Sequence, residues 1–132
     1  MTNIDAIKSY HAHIYYDAAT RDTAAQVREQ VSEHFLVQMG RWRDEPGGPH
    51  VRAMYQNAFD VSVFPILVPW LMLNRQGLTI LVHPNTDRPR DDHLVHALWM
   101  GEVLPIKQDV LRETREDEET IVPNTTPRRA SA

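Results

Sequence analysis

Residues 10–16, YHAHIYY, alternate between two kinds of side chain. In an extended strand, Ala12, Ile14 and Tyr16 share one face, and His11, His13 and Tyr15 share the other. Such a strand fits a sheet with one face on an apolar core and its imidazoles on the opposite face. Two later segments sort the same way. In residues 51–59, Val51, Ala53 and Tyr55 share one side; Arg52, Met54 and Gln56 share the other, in line with His50. In residues 78–83, Leu78, Ile80 and Val82 point inward, and Thr79, Leu81 and His83 point the opposite way.

The intervening segments supply the helices. Residues 17–39 read as a helix capped by Thr20 or Asp17, with Ala24, Val27, Val31, His34 and Phe35 on one face. A short strand follows over 36–42, and a Gly/Pro-rich loop over 43–49 ends it. Residues 61–74 are apolar nearly throughout and read as a second helix, started late or kinked by Pro65 and Pro69. Residues 84–87 break the strand that ends at His83. Residues 94–100 form a short apolar element of open type, and 103–107 an edge strand. From Arg112 the chain is charged, then Pro/Thr-rich, which predicts a disordered tail over 112–132 behind a domain of residues 1–111.

The order β-α-β-β-α-β predicts an α+β, ferredoxin-like sandwich with one open sheet face. In that plan the first and third strands are central neighbours, and the fourth lies beside the first. The helices cover the apolar parity. His11, His13, His50, Arg52 and His83 then converge on the open face. Met54 and Leu81 on that face need cover, which predicts a homodimer.

Seven histidines occur in a chain of 132 residues without cysteine. Six fall in clusters: His11 with His13, then His50, then His83, His93 and His96. Neutral imidazole is a common ligand of iron, zinc and copper. Taken singly, each cluster also fits surface histidines, an ordinary turn or a solvated helix cap. Asp91 or Asp92 fits the N-cap of a short helix, with His93 and His96 on one side and suited to acid/base work. Tyr15 shares the histidine parity and fits an aromatic pocket; Arg52 fits a substrate carboxylate or an exposed ion pair.

Other classes recede. A net charge of −4 and a pI near 5.9 argue against a nucleic-acid binder and lend no support to anionic membranes. Zero cysteines removes disulfides and thiolate metal sites and fits a cytoplasmic protein. The N-terminus lacks a secretory apolar region, and residues 61–73 are too short and proline-broken to span a bilayer. Walker, GxGxxG, GxSxG and HExxH motifs are missing.

YHAHIYYD, GGPH, PWLMLNRQGLTILVHPNT and DDH…HALWMG, in this order, resemble the DOPA 4,5-dioxygenase family from about Tyr10 to about Leu104. His11 and His13 match its HxH motif, His50 its GPH motif, His83 its VHPNT motif, and His93 and His96 its DH…HALW motif. Gly47 stands where the motif has Val, and Val51 where it has Pro. The resemblance implies a ferredoxin-like fold and extradiol cleavage of a catechol such as L-DOPA by non-haem Fe(II) and O2, giving a muconic semialdehyde. It implies His13, His50 and His83 as ligands with His11 a close fourth, and His11 or His93 as general acid/base. Tyr15, Arg52 and His96 would line the substrate. The usual extradiol triad includes a carboxylate; none sits in the HxH or VHP motifs, which leaves an all-His or His-plus-water shell. Two other classes remain open: a zinc-binding or hydrolytic protein, and a non-enzymatic dimeric binding module.

Overall fold

The structure, a computed structural model, describes residues 1–128. Its strands are β1 (Ser9–Tyr16), β2 (Gln38–Met39), β3 (Ala53–Asp60), β4 (Ile80–Asn85) and β5 (Leu98–Met100). Its α-helices are α1 (Arg21–His34), α2 (Phe64–Asn74) and α3 (Pro89–Leu94). The strands form one antiparallel sheet in the order β2-β3-β1-β4-β5. This is the ferredoxin-like plan with β5 added at one edge, and β1 lies between β3 and β4 as that plan predicts.

One face carries the core. Ala12, Ile14 and Tyr16 pack with Tyr55 and Phe59, Ile80 and Val82 under Val27 and Val31 of α1 and Leu67 and Leu71 of α2. Full burial of such a side chain is worth about 1.5–3 kcal/mol, so the apolar parity of three strands sets which face receives the helices. Val51 is an exception. β3 begins only at Ala53, and Val51 packs on the opposite face, beside Tyr15, Met54, Leu81 and Leu104. Leu104 and Ile106 cover Met54 and Leu81 from within the chain, so a second subunit is not needed for that.

Several boundaries differ from the sequence expectation. α1 starts at Arg21 because Asp17 and Thr20 bond each other in a preceding turn. It ends at His34, since Gln38 and Met39 are drawn into pairing with β3. The strand expected over 36–42 shrinks to β2, although Gly40 N–H still donates to Gln56 O at 2.7 Å. A Cβ at Gly40 would lie 3.0 Å from that oxygen, so a larger residue would have to push the Gln56 backbone back. α2 starts late, after a 3-10 turn over Val61–Val63; Pro65 sits in its first turn and Pro69 inside it. β4 runs on through Pro84 rather than breaking there. β5 pairs only with Ile80, Leu81 and Val82, and a proline past the end of that ladder is tolerated. Of the element left open over 94–100, Leu94 ends α3 and Leu98–Met100 form β5; residues 103–107 form no strand.

Composition predicts a disordered tail from residue 112, but residues 112–128 lie against the domain. Arg115 N–H donates to Asp87 O at 2.8 Å. The Asn124 side chain brackets Met39, and Thr125 Oγ bonds the backbone at Phe35 and Val37. The polar residues that read as disorder-prone thus satisfy the outer backbone groups of the β2 edge. Residues 129–132 of the expected tail lie outside the described residues. No helix among the described residues is long and apolar enough to cross a membrane.

Candidate metal centre

Register brings the first imidazoles together. β1 pairs with β4 so that His11 lies opposite His83, with His13 one step further along the same face. His13 Nε2 and His83 Nε2 stand 3.1 Å apart, both rings buried. His11, His13 and His83 each offer a ring nitrogen within 4.8 Å of the others. His50 arrives from a loop, not a strand. Its N–H closes a turn onto Gly47 O at 3.0 Å, with Gly48 at φ 54° in the left-handed region. Lys107 N–H pins Pro49 O, and the His50 ring then lies 4.3 Å from that of His13. His93 comes from α3, its ring 4.0 Å from His83. Asp92 holds α3 in place: it accepts from Thr86 N–H at 2.8 Å and Thr86 Oγ1 at 2.7 Å. The sequence reads Asp91 or Asp92 as an N-cap, but the cap position is Arg88, and Asp92 ties α3 to the end of β4 instead.

Outer hydrogen bonds select the ring tautomers. His83 Nδ1–H donates to Pro84 O at 2.8 Å, and His93 Nδ1–H to Pro89 O at 2.7 Å. A carbonyl carries no proton, so each ring keeps a lone pair on Nε2. Tyr15 hydroxyl holds His50 Nδ1 at 2.8 Å. His11 Nε2 lies 2.9 Å from both oxygens of Glu119. That contact lowers the Glu119 pKa, so the carboxylate accepts from His11 Nε2–H. Burial drives the pKa values of His13 and His83 well down, and neighbouring imidazoles push the same way. His50 is pushed down to about 4 and His93 is lowered, again chiefly by burial. His13, His50, His83 and His93 are therefore neutral, the form that ligates metal.

These donors fit a metal ion. His83 Nε2 stands 3.1 Å from His13 Nε2, a spacing that a His13 Nε2–H or a shared cation can fill. Imidazole bonds of about 2.0–2.1 Å to one ion put two nitrogens about 3–4 Å apart. His13 Nδ1 is buried without a partner, an arrangement that neutral packing alone does not favour. Nitrogen donors suit iron or zinc rather than magnesium or calcium.

Residues 10–110 match the model of the Dopa 4,5-dioxygenase family. This chain belongs to that family. It is 31% identical to the DOPA 4,5-dioxygenase of Amanita muscaria over 109 residues, covering 76% of this chain and 48% of that one. It is 34% identical to an uncharacterised 21.2 kDa protein of Botryotinia fuckeliana, covering 82% of this chain and 66% of that one. The chain thus spans about half and just under two thirds of these relatives. A crystal structure of a candidate dioxygenase from Nostoc punctiforme superposes with a TM-score of 0.82 at 50% identity, covering 83% of this chain and 96% of that one.

Within this family fold, His11, His13, His50 and His83 meet as the alternation predicts, and His93 joins them from α3. The tightest three are His11, His13 and His83, so His11 stands closer than the fourth place the resemblance implies. Tyr15 is buried, with its ring stacked 6.0 Å from Trp99 and its hydroxyl on His50; in this structure it braces a histidine. Arg52 is not brought in. It precedes β3, so the alternation does not reach it, and it forms an exposed ion pair with Glu102 at 2.8 Å. His96 is exposed and lines a cavity of about 310 Å³ whose walls at Tyr10, Phe64 and Val82 belong to the helix side of the sheet, away from His11, His13, His50 and His93. Sequence reasoning misses Glu119. Nothing local marks it, because its partner lies 108 residues away.

Proposed function

We propose that the protein is a non-haem iron-dependent extradiol dioxygenase that opens the ring of a catechol such as L-DOPA beside its two hydroxyls, giving a muconic semialdehyde. Both atoms of O2 enter the product as one ring C–C bond breaks. The observation that carries this reading is the meeting of His11, His13 and His83 nitrogens within 4.8 Å, in a member of the Dopa 4,5-dioxygenase family. His13 and His83 would hold Fe(II), with His11 and His50 completing the set. Bound iron would supply the electron path between catecholate and O2, whose direct reaction is spin-forbidden.

The chain's own residues do the rest. His93 has its Nδ1–H fixed on Pro89 and is neutral, so its Nε2 can take a catechol proton and later return it. Burial of His13, His50 and His83 keeps water from the donors. A homodimer in the cytoplasm belongs to the same proposal; exposed Leu94, Val95 and Leu98 beside α3 offer apolar surface for it.

Anaerobic reconstitution with Fe(II), followed by O2 and a catechol panel that includes L-DOPA, tests the reading. Iron-dependent oxygen uptake with a yellow semialdehyde is the expected result. His13→Ala should lose both iron and turnover. Tight zinc binding with no oxygen uptake across the panel would overturn the proposal in favour of a zinc protein.

A further inference from the structure

Glu119 lies beyond residues 10–110, the span matched by the family model, yet it touches the histidine centre. Both of its oxygens stand 2.9 Å from His11 Nε2, and the two side chains are only 24% and 13% exposed. The contact is held from both sides. Arg115 N–H bonds Asp87 O at 2.8 Å before it, and Val122 N–H bonds Gln38 Oε1 at 2.7 Å after it. Neighbouring Glu116 and Glu118 are exposed. A carboxylate that accepts from Nε2–H fixes the ring plane and leaves Nδ1 as the donor atom. It also makes that nitrogen more basic, as carboxylate partners do for ligating histidines. No carboxylate belongs to the group of three imidazoles itself.

We propose that Glu119 is a positioning residue of the histidine centre: it orients His11 so that Nδ1 faces the metal, and it makes the segment around residues 115–122 part of the site. The inference rests on the reading of this cluster as a divalent-metal site. The test uses the full chain, with Glu119→Ala, Glu119→Gln, which keeps a neutral acceptor, and Glu118→Ala as a control. Competition titration with Zn2+ and Co2+ should show roughly 10- to 100-fold weaker binding in Glu119→Ala, the range for loss of a ligand's outer partner. Glu119→Gln should recover part of the loss, and Glu118→Ala should match the parent.

A second readout needs no metal. In the 15N-labelled metal-free protein, the His11 Nε2–H proton should give a slowly exchanging downfield signal that disappears in Glu119→Ala. Unchanged affinity in Glu119→Ala, or no such signal in the parent protein, would overturn the inference. A signal that depends on Glu119 in a chain that binds neither ion would sink the metal reading while supporting the hold on His11.

Discussion

Acid should destabilise the metal-free fold through its buried imidazoles, and His50 allows a magnitude to be worked out. Burial is the main reason its pKa falls to about 4, against about 6.5 in an unfolded chain. Well above pH 6.5 the ring is neutral in both states, so the shift has no effect. As pH falls through that value, the unfolded chain takes up a proton that the folded chain refuses, and folding weakens. The loss levels off near pH 4, where the folded ring is protonated too. Between pH 7.5 and 5.0 the two titrations separate by about 2 kcal/mol, out of a full difference of about 3.4 kcal/mol. His50 is only 4% exposed, so solvent screening removes little of this. His13, His83 and His93 are shifted the same way, which makes His50 alone a lower bound. Against a total stability of about 5–15 kcal/mol, the combined effect brings the metal-free protein near its unfolding threshold at pH 5. Urea unfolding in chelator at pH 7.5, 6.0 and 5.0 measures it. In His50→Gln the loss across that interval should shrink by about 2 kcal/mol, whatever the variant's stability at pH 7.5. Unfolding free energies that agree within about 0.5 kcal/mol at pH 7.5 and 5.0 would refute the reasoning.

Tyr15→Phe removes the hydroxyl that holds His50 Nδ1; about 1–3 kcal/mol of metal-free stability should be lost in urea unfolding, with metal affinity reduced as well. Asp92→Ala leaves Thr86 without two hydrogen bonds and frees α3, so the His93 ring should move from His83 and its NMR shifts should change, with about 1–3 kcal/mol of destabilisation. Arg52→Ala breaks only an exposed pair with Glu102, so thermal unfolding should change by less than about 1 kcal/mol and catechol turnover should be unaffected.

The parts of this fold that obey a local period were legible in the sequence. Ala12, Ile14 and Tyr16 alternate with His11, His13 and Tyr15, and the period of a strand admits one assignment of faces. What failed was local reading of features decided at a distance. α1 stops at His34 because β3 claims Gln38 and Met39, and no residue near His34 states that demand. Pro84 reads as a breaker, yet it sits in β4 where the neighbouring strand has already ended. Arg52 and His50 share a parity on paper, but β3 starts after both, so the loop sends one to the site and the other to solvent. Asn124 and Thr125 look like tail residues until the unpaired backbone of 35–39 is beside them.

The histidine face breaks the rules that the rest of the chain keeps, and the two consequences of that breach have one cause. Five rings share a small volume, His13 Nδ1 has no partner, and two Nε2 atoms face each other at 3.1 Å. The unpartnered nitrogen weakens the metal-free fold, as buried polar groups without partners do. Yet the burial that makes acid destabilising also clears protons from the donors. At pH 5.5 an imidazole of ordinary pKa is about nine-tenths protonated, and a proton there excludes a metal ion. His50, with a pKa of about 4, is mostly neutral at that pH. A metal ion bound only by the folded state would add its binding free energy to folding. The instability and the affinity are thus the same desolvation, seen without the cation and with it.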